Sequence, residues 1–191
     1  MTTKRDYQGQ TTQNSSAKVL LALKQPLITR QISKKTGIPA YICGYIISTF
    51  VDSGVLVCLN PRARNNRLYW FTKAGLQYLK LLYSIHNLKY RTPQLPDIDW
   101  NLYGWACFSH RSAIIKALTG PMRPSEIKRF FRFQKTSIRI SANNIRDIIH
   151  LFLTKGIVRP VQNRGKIRPR YELTETGIKL RHLLIQAGIA H

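Results

Sequence analysis

Apolar residues recur three or four positions apart in two matching stretches of the chain. In "PAYICGYIISTFVDSG", Cys43, Ile46, Ile47 and Phe50 share one helical face; in "SANNIRDIIHLFLTKG", Ile145, Ile148, Ile149 and Phe152 do the same. Ser141 is placed to cap the second of these helices. Each stretch ends on a glycine, Gly54 or Gly156, of the kind that closes a helix in the left-handed conformation. Two apolar runs then flank a turn-rich stretch in each place. "VLVCL" and "RLYWF" enclose Pro, Arg and Asn, while "IVRPV" and "RYEL" enclose "QNRGKIRP", and each arrangement predicts a hairpin. Thr72 and Thr174 are positioned to cap a closing helix. Upstream, Val19, Leu20 and Leu23, then Ile114, Ile115 and Leu118, mark opening helices. Short second helices follow, "ITRQISKKTG" and "PSEIKRFF", with Pro124 and Ser125 at the start of the latter.

The two halves superpose. With Gly54 over Gly156, an offset of 102, "SGVLVCLNPRARNNRLYWFTKAGLQYLKLL" lies over "KGIVRPVQNRGKIRPRYELTETGIKLRHLL" without a gap. Upstream the offset is 95, with Pro26 over Pro121 and Ile32 over Ile127, so the second half carries an insertion between Ile127 and Ile145. This reads as a duplication with one loop insertion. It divides the 191 residues into a polar tail (1–16), a first unit (17–86), a connector (87–109) and a second unit (110–191). The connector holds Trp100, Tyr103, Trp105 and Phe108, residues a flexible linker lacks, and is expected to pack against one or both units.

Charge changes the picture most. Lys and Arg number 31 against 8 Asp and Glu, a formal net charge of +23. Folding does not require such a surplus, and solubility is normally secured with mixed signs and a smaller net charge. A polyanion is the expected partner, with nucleic acid the usual one for a folded basic domain. A membrane surface would call for a basic amphipathic helix or a lipidation motif, and neither occurs. No apolar run reaches membrane-spanning length, and the start has no apolar segment of a secretory signal. Cys43, Cys58 and Cys107 are isolated within apolar stretches, as expected of reduced thiols in a cytoplasmic protein, associated with the nucleoid if the cell is prokaryotic. The acids are scattered, the histidines form no paired ligand motif, and no glycine-rich phosphate loop is present. Catalysis, a metal, a cofactor and a small-molecule partner are therefore not expected.

Three helices, a hairpin with a basic tip and a closing helix, twice over, resemble the winged helix-turn-helix superfamily. The residues that carry the resemblance are the helix-ending glycines, the hairpins, and "YWFTKAG" and "YELTETG" leading into the last helices. It covers residues 17–86 and 110–187 and implies a mainly α fold with small β-hairpin wings (α+β), arranged as two tandem winged-helix domains. It further implies that each third helix enters the major groove of double-stranded DNA while each wing lies on the backbone.

Carried onto this sequence, that places Asn143, Asn144, Arg146 and His150 of the second unit against bases, since Asn pairs with adenine and Arg with guanine. Tyr41, Tyr45 and Ser48 are the first unit's equivalents, an uncharged set that also suits a protein contact. Arg62, Arg64 and Arg67 in the first wing, and Arg164, Lys166, Arg168 and Arg170 in the second, are expected on phosphates. Lys34, Lys35, Lys128 and Arg129, on or beside the second helices, add register-fixing phosphate contacts. The expected function is sequence-specific DNA binding by a transcriptional regulator. A replication initiator or architectural protein of a plasmid, virus or mobile element is the alternative, followed by a protein-interaction scaffold or an RNA-binding protein. A second copy of the chain, met through the connector or the first unit, is a further candidate partner.

Overall fold

The fold is given by a computed structural model that describes residues 15–134, 138–161 and 169–188. Among these the chain forms nine helices and two small antiparallel sheets, an α+β arrangement in which helix dominates. The chain divides into two compact units, the first ending at Gly104 and the second beginning at Trp105. No helix among the described residues is long and apolar enough to cross a membrane.

The first unit runs α1 (residues 15–22), β1 (Leu27–Ile28), α2 (Thr29–Thr36), α3 (Ala40–Asp52), β2 (Leu56–Cys58), β3 (Leu68–Phe71) and α4 (Lys73–Ile85). The apolar side of α3 enters the core through Cys43, Ile46 and Ile47, alongside Leu20 of α1, Leu23 just after it and Ile32 of α2. Each such side chain contributes about 1.5–3 kcal/mol of hydrophobic stabilisation. The sheet has three strands in the order β1-β3-β2, one more than the hairpin alone, with Leu27 opposite Tyr69 and Leu56 opposite Phe71.

The second unit contains α6 (Ser109–Ala117), α7 (Pro124–Phe133), α8 (Ala142–Thr154), β4 (Val158–Val161), β5 (Arg170–Leu173) and α9 (Glu175–Gln186). Its sheet is the β4-β5 hairpin, and Met122 adds a single antiparallel bridge to Tyr171, closed by two backbone bonds of 2.9 Å.

Specific bonds recur in the two units at the sequence offsets. Ile28 N–H donates to Gln31 Oε1 at 2.8 Å, and Arg123 N–H donates to Glu126 Oε2 at 2.7 Å, both closing the first turn of the second helix. Gly54 and Gly156 end the third helices at φ 72° and 64°, and the next residue's N–H returns to the Phe50 or Phe152 carbonyl in a Schellman-type closure. Thr72 and Thr174 each donate their hydroxyl to that glycine's carbonyl at 2.6 Å. Each also caps the following helix by accepting from Gly75 or Gly177 N–H, at 3.0 and 3.2 Å.

The connector carries a helix of its own. Residues 87–104 belong to the first unit and 105–109 to the second, and α5 (Trp100–Ala106) forms within the segment. At the end of "LPDIDW", Asp99 Oδ1 accepts the N–H groups of Asn101 and Leu102 at 2.8 and 3.1 Å and so starts a helix. Tyr103 is fully buried, and Gly104 lies so close to Asn60 that a Cβ there would overlap its amide. In the second unit Trp105 meets Phe152 edge-on.

Asn60 organises the β2–β3 loop. Fully buried, it accepts from Leu68 N–H at 2.7 Å and donates Nδ2 to the carbonyl of Asn66, itself at φ 55°. Asn60→Ala strands both groups. Since the Asn66 carbonyl is only part-buried and water can reach it, the expected loss is about 1–2 kcal/mol. Urea unfolding of the full chain checks it, and an unchanged midpoint would refute the brace.

Candidate nucleic-acid interface

Depth sorts the residues of α8. Ile145, Ile148, Ile149 and Phe152 are buried, while Asn143, Arg146, Asp147 and His150 are exposed along one stripe. Ser141 fixes the first turn by accepting Asn144 N–H at 3.1 Å. Arg146 Nη1 donates to Asn143 Oδ1 at 3.3 Å, so these two polar groups stand together on the surface. Asn144 has a partner within the unit. Half-buried, its Nδ2 lies 2.9 Å from His110 Nδ1 on α6 and donates to it, which ties its amide into the unit. Lys128 and Arg129 are exposed on the neighbouring α7.

The matching stripe of α3 has another character. Tyr41 and Tyr45 are 78% and 73% exposed, Ser48 is exposed, and Gly44 occupies the position of Arg146. Lys34 and Lys35 are exposed in the last turn of α2.

The first hairpin loop presents Arg62, Arg64 and Arg67 to solvent, with Arg67 Nε donating to the Ala63 carbonyl at 3.1 Å. Of the second loop, Arg164, Lys166 and Arg168 lie outside the described residues. Arg170, expected on phosphate, has a partner within the unit. It belongs to β5, and its Nη2 donates to Glu126 Oε1 at 3.0 Å, tying the sheet to the start of α7. The Glu126 carboxyl sits below the usual carboxylate range, chiefly because it accepts the Arg123 N–H and also because Arg170 is adjacent.

Two further basic residues are used for packing. Arg111 stacks its guanidinium 4.0 Å from the Trp105 ring centroid and 4.8 Å from that of Phe108, and burial pulls its pKa down. Lys155 Nζ lies 4.9 Å from the Trp105 centroid. The sequence did not single out Arg123 or Tyr171, although both face the space between α7 and α8. Their signals were faint: an arginine before the helix-starting Pro124, and a tyrosine matching Tyr69.

No family model matches the chain, and neither a curated protein nor a solved structure matches it. Its own geometry therefore carries the functional reading.

Proposed function

We propose that the chain is a sequence-specific double-stranded-DNA-binding protein built from two tandem winged-helix units of one duplicated ancestor, acting as a transcriptional regulator. The observation that carries this reading is the exposed stripe of α8, Asn143, Arg146 and His150, with Lys128 of α7 lining the same cleft as Arg146 and His150 and Arg129 exposed on that same helix. An amide and a guanidinium at a helix surface have the donors and acceptors that base edges in the major groove require. The flanking cations supply phosphate contacts that fix register. The paired bonds at offsets 102 and 95 support the duplication: Thr72 with Thr174, and Gln31 with Glu126.

In this reading the first unit contributes Arg62 and Arg64 to the backbone and the tyrosines of α3 to phosphates or thymine methyls. Since α3 and α8 differ at every exposed position of their stripes, the preferred site is asymmetric. The test is selection from a random duplex pool near physiological salt. An asymmetric motif is expected, and Arg146→Ala should relax it at a defined position and cost about 1–2 kcal/mol there. Tight binding with no motif would replace the regulator with an architectural protein, and absence of binding would sink the DNA reading.

A further inference from the structure

A cleft of about 440 Å³ lies in the second unit, lined from α7, α8 and the start of β5. That is the size of a small-molecule site, far larger than a single ion needs. Arg123, Lys128, Arg146 and His150 all line it, and among the described residues no carboxylate does. Tyr171 and Pro169 add ring and apolar surface, and Ser125 adds a hydroxyl. Among the described residues three buried donors lack a hydrogen-bond partner, Arg123 Nε, Arg170 Nε and Asn66 Nδ2, and of these Arg123 belongs to the cleft lining. Such an unmet donor in a folded protein signals a missing acceptor.

The first unit shows that the scaffold does not require this chemistry. At the positions of Arg123, Lys128, Arg146 and His150 it has Ile28, Ser33, Gly44 and Ser48. Arg30 and Arg67 stand in place of Ser125 and Pro169, so cationic character is redistributed as well as increased. Concentrated positive charge, a hydroxyl and a tyrosine ring around a half-open cleft suit an anion that carries a flat ring. Guanidinium and ammonium groups hold phosphate oxygens, and aromatic surface holds the ring.

We propose that this cleft binds a free phosphorylated ring compound the size of a nucleoside monophosphate. The same chemistry could come from one nucleotide of a DNA strand, and the test below separates the two sources. A ligand seated there occupies Arg146 and His150, which the proposed DNA contact also needs, so ligand and duplex exclude one another. That consequence rests on the DNA reading, whereas the cleft itself does not.

The experiment titrates the full chain with each of the four common nucleoside 5′-monophosphates and with inorganic phosphate, followed by calorimetry and by amide chemical shifts. At least one nucleotide is expected to bind with one-to-one saturation, about 10-fold or more tighter than phosphate, with shifts centred on Arg123, Lys128 and Tyr171. Arg123→Ile installs the residue type that the first unit buries at Ile28, and should weaken the nucleotide about 10-fold while leaving duplex affinity unchanged. Tyr171→Leu keeps the backbone bridge to Met122 and should weaken the nucleotide by a similar factor, which guards against a folding defect in either variant. No saturable binding would overturn the proposal, as would parity with inorganic phosphate or indifference to both substitutions. A parallel loss of duplex affinity in Arg123→Ile would assign the cleft to the strand's own phosphate and overturn it too. Nucleotide binding without any duplex binding would sink the DNA reading alone, and the reverse would sink the cleft alone.

Discussion

Raising salt from about 50 to 200 mM should weaken duplex binding by about 10³- to 10⁵-fold. Lysine and arginine contacts to phosphate release condensed counterions, and roughly 6–10 such contacts give that loss. Exposed cations for this number are present on α2, α7, α8 and the first hairpin loop. Fluorescence anisotropy with one labelled duplex across a salt series measures the slope. The double variant Arg62→Ala, Arg64→Ala should lower that slope by about 2, since each phosphate contact contributes nearly one unit. Arg170→Ala should leave it unchanged, because Arg170 is held by Glu126. A shallow slope in the parent protein would mean that the +23 charge meets something other than a polyanion.

Gly75→Ala and Gly177→Ala should each destabilise their own unit by about 2–3 kcal/mol. Both glycines are buried in the first turn of a closing helix, where a Cβ would overlap a backbone carbonyl oxygen, that of Val55 or Ile157. Those same carbonyls accept the N–H of Thr72 and Thr174, so the backbone cannot retreat without loosening the cap. Alanine's better helix propensity offsets only about 1 kcal/mol. The midpoint of the affected unit should fall by roughly 10–20 °C, and hydrogen exchange by peptide should place the loss in that unit alone. Gly54→Ala is the contrast. Its φ of 72° disfavours a side chain but nothing lies within 4 Å, so the cost should be near 1 kcal/mol. Equal costs at Gly54 and Gly75 would refute the steric account.

Periodic faces and end signals were legible in the chain because they are local. The buried sides of α3 and α8, the Ser141 and Thr174 caps and the left-handed glycines follow from residues within a few positions of one another. β1 was not legible, since two residues carry no alternation, and Leu27 becomes strand only by pairing with Tyr69. The helix at Trp100 was hidden by aromatic residues that resemble a packed loop. Within the candidate interface, the side-chain ties hidden from the sequence are those whose partners lie far along the chain. Asn144 finds His110 at a separation of 34 residues and Arg170 finds Glu126 at 44, and no local pattern announces either pairing. Exposure of Tyr41, Tyr45, Arg62 and Arg64, by contrast, followed directly from the faces and turns that the core left over.

The buried amide of Asn60 has a consequence for thermodynamics beyond folding. Holding the loop by its neck, with Gly104 closing over it, means that the segment carrying Arg62 and Arg64 is ordered before any partner arrives. Ordering a residue's backbone costs about 1–2 kcal/mol in conformational entropy. A loop that meets this cost on folding has little left to surrender on docking, so it acts as a preformed finger. Its association entropy should accordingly be less unfavourable than that of a loop that must freeze in place.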